Sequence, residues 1–194
     1  MRKGRLEAFS DGVIAILITI MVFDLKAPDG SDSSAIWSLM PGVMTYLLSF
    51  IYLAIYWNNH HHLLLLTDRV SGPIMWANMH LLFWLSLIPF GTAWMHKSEF
   101  ASLPVAIYGL VLLACSIAWW ILQTTIILQQ GSSSPLRKAI GSDLKGKASA
   151  VLYLVAVFLA FAVPAISIAV YVGVAVVWLV PDRRFECAVL EPAE

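Results

Sequence analysis

This chain carries little charge. Only 12% of its 194 residues are Asp, Glu, Lys or Arg, where a soluble domain carries about 25%. The twelve basic and twelve acidic residues cancel, so nothing points to nucleic acid as a partner. Cysteine is scarce. Cys115 lies in an apolar run and Cys187 in a polar tail far from it in sequence, so a disulfide is not expected. Soluble catalytic signatures are missing: there is no Gly-rich phosphate loop, no H-E-x-x-H and no G-x-S-x-G. No small-residue cleavage site follows the basic start, so a cleaved signal is not expected either. What the chain does have is apolar surface, at 60% hydrophobic residues. The expected class is an all-α membrane protein, multi-pass, in a cell membrane, with the lipid bilayer as its solvent.

A bilayer core needs about 20 apolar residues of helix. Six segments fit, at about 4–25, 41–66, 70–95, 104–128, 148–162 and 167–180. The last two come from one apolar run that is long for one span and short for two. Pro164 sits in its middle and would break or kink a helix; one long kinked helix is the alternative to two short ones. A polar stretch from Gln129 to Lys147 separates this run from the fourth segment. No part of 1–194 outside the helices is long enough to be a separate domain, so a single domain is expected.

Loop charges orient such a bundle, with Lys and Arg on the cytoplasmic side. One side collects Arg2, Lys3, Arg5, Arg69, Arg137, Lys138, Lys145, Lys147, Arg183 and Arg184. The other holds only Lys26 and Lys97, beside Asp29, Asp32 and Glu99. Both termini are therefore expected in the cytoplasm, which requires an even number of spans.

The first helix has two faces. On a wheel of about 100° per residue, Arg5, Phe9, Gly12, Ile16, Ile20 and Phe23 fall within about 40° of a common direction. This is an apolar seam of heptad type. Thr19 lies about 60° to one side. Ser10 and Asp11 point to the back. Two readings of the seam stay open. It is a packing stripe against a neighbouring helix, or copies of it face each other around an axis. In the second case Ile16 and Ile20 form apolar rings of the kind that gate by dewetting, with a Thr19 hydroxyl layer between them.

Carboxylates within membrane helices are costly and usually mark function. Asp11 lies about 9 Å of rise beyond Arg5. The second helix returns to the same side carrying Asn58-Asn59-His60-His61-His62, and the third starts there with Asn78 and His80. Buried polar groups in lipid must be hydrogen-bonded. Ser10 and Asp11 are therefore expected to bond to Asn59, His60 and Asn78. Three consecutive histidines point in three directions, so they cannot all bind one metal. A metal site of Asp11, His60 and His80 and a proton relay of Asp11 and His60 are alternatives to a structural knot. Trp37, Trp94 and Trp178 lie near span ends, where interfacial anchoring is usual. Trp57, Trp76, Trp84, Trp119 and Trp120 are read as packing or lipid contacts.

At Arg5-x-x-x-Phe9-Ser10-Asp11 the chain resembles the transmembrane protein 175 family of potassium channels, in its prokaryotic branch. Tyr56-Trp57-Asn58-Asn59-His60-His61 resembles that family's second-helix pattern, Leu87-Ile88-Pro89-Phe90 its third-helix ending, and Pro181-Asp182-Arg183-Arg184 its closing signature. The resemblance covers essentially the whole chain. It implies six helices per subunit and a homotetramer, with the first helix lining a central pore and no re-entrant selectivity loop. Nothing like T-V-G-Y-G is present. It further implies an apolar constriction at Ile16, with further rings at Ile20 and Phe23, and a hydroxyl layer at Thr19 linked to potassium preference. Phe23 departs from the usual aliphatic residue there. Arg5, Phe9, Ser10 and Asp11 belong to the motif, and its Arg, Ser and Asp would make interhelical contacts. The permeant species would be potassium or another monovalent cation, with no cofactor. A proton-coupled transporter using Asp11 and His60 is the alternative function, and a non-conducting membrane scaffold a third.

Overall fold

The computed structural model describes residues 3–28, 32–131, 134–141 and 143–179. Among them there are eight α-helices and no strand. They are α1 (Lys3–Ile20, continued by a 3₁₀ turn at Met21–Asp24), α2 (Ser33–Leu65), α3 (Gly72–Ser86), α4 (Ile88–Lys97), α5 (Ser102–Gln130), α6 (Pro135–Ile140), α7 (Leu144–Leu159) and α8 (Pro164–Leu179). Four stretches are long and apolar enough to cross a membrane: Lys3–Asp24, Ala35–Leu65, Gly72–Lys97 and Ser102–Gln130. Pro164–Leu179 is a shorter apolar helix. The Pro181-Asp182-Arg183-Arg184 signature and Cys187 lie outside the described residues.

Several boundaries differ from the sequence expectation, each for a local reason. Helix α2 begins eight residues before Pro41, where Asp32 caps it by accepting from the Ala35 N–H. It then runs through Pro41, which membrane helices tolerate when neighbours resupply contacts. The segment expected at 70–95 is two helices, because Pro89 has no N–H to continue the ladder and Leu87 caps both pieces. The stretch before Lys147 holds α6, with Pro135 at its first turn and the Ser134 hydroxyl accepting from the Arg137 N–H.

Hydrogen bonds between chain ends fix the directions. Lys3 Nζ donates to the Leu65 carbonyl, so the start of α1 lies beside the end of α2. Gln130 Nε2 reaches the Leu66 carbonyl and Gln129 Nε2 that of Arg69, which brings the end of α5 to the same level. The Trp178 indole donates to Ser149, so the end of α8 lies beside the start of α7.

The core sits along α5, which packs against α3, α4, α7 and α8. Its Tyr108, Leu112, Cys115, Ala118, Leu122 and Ile126 are fully buried. Tyrosine hydroxyls lock α8 in place. Tyr52 donates to the Tyr171 carbonyl at 2.6 Å, and Tyr171 donates to the Val105 carbonyl at 3.1 Å. The Tyr171 ring lies over Gly109, where an added Cβ would collide with the hydroxyl oxygen. Gly109→Ala is therefore expected to displace Tyr171 and cost about 1–3 kcal/mol, the usual penalty of overpacking. Thermal unfolding in detergent would register it. An unchanged midpoint would mean the α5–α8 contact yields freely.

Candidate functional site

Helix α1 sorts its side chains sharply. Leu6, Ser10, Ile14, Leu17 and Met21 are buried against the rest of the chain. Their steps of three and four residues make one continuous face. The other face is open. Ile16 is 58% exposed, Ile20 48% and Phe23 82%, and Phe9, Gly12 and Arg5 are exposed beside them. So the seam does not pack on a neighbouring helix of its own chain. It is an apolar strip, several turns long, turned away from the fold.

Thr19 stands on this open side. Its hydroxyl proton is shared between the Ala15 and Ile16 carbonyls, at 3.1 and 3.0 Å. Those bonds use the donor and leave oxygen lone pairs free to accept. Thr19 therefore presents electron density, the polarity that suits a cation.

Behind the seam lies a buried chain of hydrogen bonds. The Ser10 hydroxyl donates to the Leu6 carbonyl at 2.8 Å. Asn78 Nδ2 on α3 donates to Ser10 Oγ at 2.9 Å. Asn78 Oδ1 is 2.6 Å from His60 Nε2 on α2. The direction of this chain settles the tautomer. Ser10 has spent its proton on Leu6, so it accepts from the Asn78 amide. The Asn78 oxygen then faces His60, and Nε2 must carry the hydrogen. All three residues are buried, so three helices are tied at one depth by a continuous chain of hydrogen bonds.

The expected partners hold only in part. Ser10, Asn78 and His60 come together. Asp11 does not join them: it is exposed, and it accepts from the Trp57 indole N–H at 2.9 Å. Consecutive helical residues differ by about 100°, so Ser10 at the centre of the buried face leaves Asp11 at its edge. Asn59 turns back on its own helix and donates to the Ile55 carbonyl. Phe9 and Arg5 lie on the open face rather than in the network. Trp57, expected as a packing or lipid contact, has a polar role that the sequence expectation lacks. The signal was available in that it shares the depth of Asp11 and carries an obligate donor. The His61 ring stacks beside Trp57. Among the described residues no group of three His, Cys, Asp or Glu side chains is placed to hold a metal ion.

The family described as endosomal/lysosomal potassium channel TMEM175 matches residues 5–89. A protein of Chryseobacterium sp. (strain P1-3) named as a potassium channel is 49% identical over 191 residues, covering 98% of this chain and 100% of that one. The bovine endosomal/lysosomal proton channel TMEM175 is 29% identical, over 69% of this chain and 31% of its own length. The crystal structure of a lysosomal potassium-selective channel TMEM175 homolog from Chamaesiphon minutus superposes with a TM-score of 0.82 at 28% identity, covering 93% of this chain and 97% of that one. This chain therefore belongs to the TMEM175 family, a family of membrane ion channels and not of enzymes.

Proposed function

We propose that the chain is a potassium-permeable cation channel whose pore is lined by α1 from four identical subunits. The observation that carries this reading is the open apolar strip of Ile16, Ile20 and Phe23. A face this apolar needs either lipid or copies of itself. The hydroxyl of Thr19 beside it is oriented to accept, which lipid does not reward and a partly dehydrated cation does. Ile16, Ile20 and Phe23 then form rings that resist wetting, and Thr19 forms the selective layer. Potassium sheds water more readily than sodium, so partial replacement of its shell by four hydroxyls favours it. The name of the Chryseobacterium relative agrees with potassium as the permeant ion.

The assembly proposed is a homotetramer of six-span subunits in the plasma membrane, both termini cytoplasmic. The antiparallel bonds at the helix ends support alternating crossings, and α7 with α8 supplies the last two. Each of these is about 24 Å long, somewhat short of the hydrocarbon core. The proton-coupled alternative needs Asp11 and His60 to exchange a proton. In the structure they hold different partners, Trp57 and Asn78, which favours the channel.

Single-channel recording in planar bilayers tests the reading. Ohmic unitary currents reversing near the potassium potential are expected, and slow saturable flux tied to pH would overturn it. Thr19→Ala should move the reversal potential under opposed potassium and sodium toward zero, while Thr19→Ser should hold it near the parent value. If Thr19→Ala leaves it unmoved, the hydroxyl layer is not the discriminator.

A further inference from the structure

A cavity of about 410 Å³ lies away from α1, between α2, α5, α7 and α8. Aromatic rings wall it: Tyr52 and Tyr56 of α2, Trp119 and Trp120 of α5, Tyr153 of α7 and Trp178 of α8. The polar atoms of three of these rings are held in hydrogen bonds. Tyr52 donates to the Tyr171 carbonyl, Tyr153 to Tyr52, and the Trp178 indole to Ser149. Lys145 holds the outer side of Trp178, its ammonium 4.4 Å from the ring centre. Three of the six rings are thus fixed by their polar handles, and the wall they build with Ile55, Ile117, Ala150 and Val151 is mostly carbon. Water entering such a space finds few partners, and apolar cavities of this kind stay dry or take apolar guests.

The cavity is not uniform along its length. Asn59, Asp143, Gly146 and Lys147 line one end. Tyr52 lies two turns deeper along α2 than Asn59, about 10 Å. The chain entering at the polar end, residues 135–147, carries Arg137, Lys138, Lys145 and Lys147 against the single acid Asp143. An apolar slot with Lys147 at its polar end, on a segment that is basic overall, matches a molecule with an apolar tail and an anionic head. Basic pockets between membrane helices are sites for anionic lipid headgroups.

We propose that this cavity binds one acyl chain of an anionic phospholipid, drawn from the leaflet on the Lys147 side. The headgroup lies against Lys147 and the first turn of α7, and the chain runs inward between Trp119, Tyr153 and Trp178. The lipid fills a space that α5, α7 and α8 cannot close by themselves, and so joins the outer helices to α2.

Native mass spectrometry of the full chain, purified from equal phosphatidylglycerol and phosphatidylcholine, tests this. One phosphatidylglycerol per chain should survive delipidation in preference to phosphatidylcholine. Ala150→Trp fills the slot from α7 and should cut retention on the order of tenfold, and Ser116→Phe should do the same from the facing wall of α5. Lys147→Gln should keep a bound lipid and bring the two headgroups toward equal occupancy. The unmodified protein gives a second measurement, because brominated acyl chains quench indole emission on contact. Brominated phosphatidylglycerol should quench more than brominated phosphatidylcholine at equal mole fraction. The proposal is overturned by equal quenching, by undiminished retention in both filled variants, or by lipid-free protein whose cavity residues cross-link to a second copy of the chain.

Discussion

Ile16→Asn is expected to raise the leak through the proposed pore. In the proposed fourfold assembly the substitution replaces four butyl groups at one level with four amides. An apolar ring resists ions because water inside it has no partners, so the ion must shed its shell or stay out. Amides offer those partners and also narrow the ring less. The leak conductance should rise on the order of tenfold or more, which needs only about 1.4 kcal/mol off the barrier. Potassium preference should fall with it, because a hydrated ion no longer has to meet the Thr19 layer closely. Ile16 is exposed in the chain, so the subunit itself should fold normally, and size-exclusion profiles would check that. Leak and selectivity equal to the parent in well-assembled Ile16→Asn protein would remove Ile16 from the constriction. Ile20 and Phe23 would then be the positions to test.

The two faces of α1 were legible because a single helix needs only its own period. Placing Phe9, Gly12, Ile16, Ile20 and Phe23 on one side required no knowledge of partners, and all of those residues are left open. What the period could not supply was the identity of the other side. Both readings of the seam call for the same spacing. Only exposure within the folded chain separates packing inside the subunit from a face turned outward. The helix ends were harder. Pro41 looked like a beginning because proline favours first turns, yet Asp32 was already present as a better cap. Helix α6 was hidden because its six residues carry two cations and bury too few apolar groups to show a period.

The polar partners show the same division. Depth can be computed from rise along each helix, and depth brought Ser10, Asn78 and His60 together. Direction around a helix cannot be assigned until the neighbours are placed. That is why Asp11 and Asn59, correct in depth, turned to Trp57 and to the Ile55 carbonyl instead. Counting tryptophan as apolar hid the donor that Asp11 uses. In a bilayer the indole N–H is as binding an obligation as an amide, and membrane interiors offer few acceptors to meet it.

Asn78→Leu is the sharpest test of the buried chain behind the seam. Leucine shares asparagine's branching and heavy-atom count but is bulkier, so the change removes polar atoms without opening a void. Ser10 keeps its bond to the Leu6 carbonyl and is little affected. His60 is the residue that suffers, since its Nε2–H loses the acceptor placed at 2.6 Å and stays 1% exposed. An orphaned buried donor costs about 1–3 kcal/mol, so Asn78→Leu should unfold at a clearly lower temperature in detergent and give less assembled protein. His60→Phe alone also breaks the chain, leaving the Asn78 oxygen unpaired. The double variant removes both obligations and should recover much of the loss, a coupling that a double-mutant cycle reads directly. A proton relay through His60 makes the opposite forecast: the double variant would be as dead in pH-dependent flux as either single one, whatever its stability. Full recovery of both stability and potassium current in Asn78→Leu/His60→Phe would mark this chain as a strut that holds α1 against α2 and α3. A stable double variant with abolished flux would show that the histidine does chemistry there.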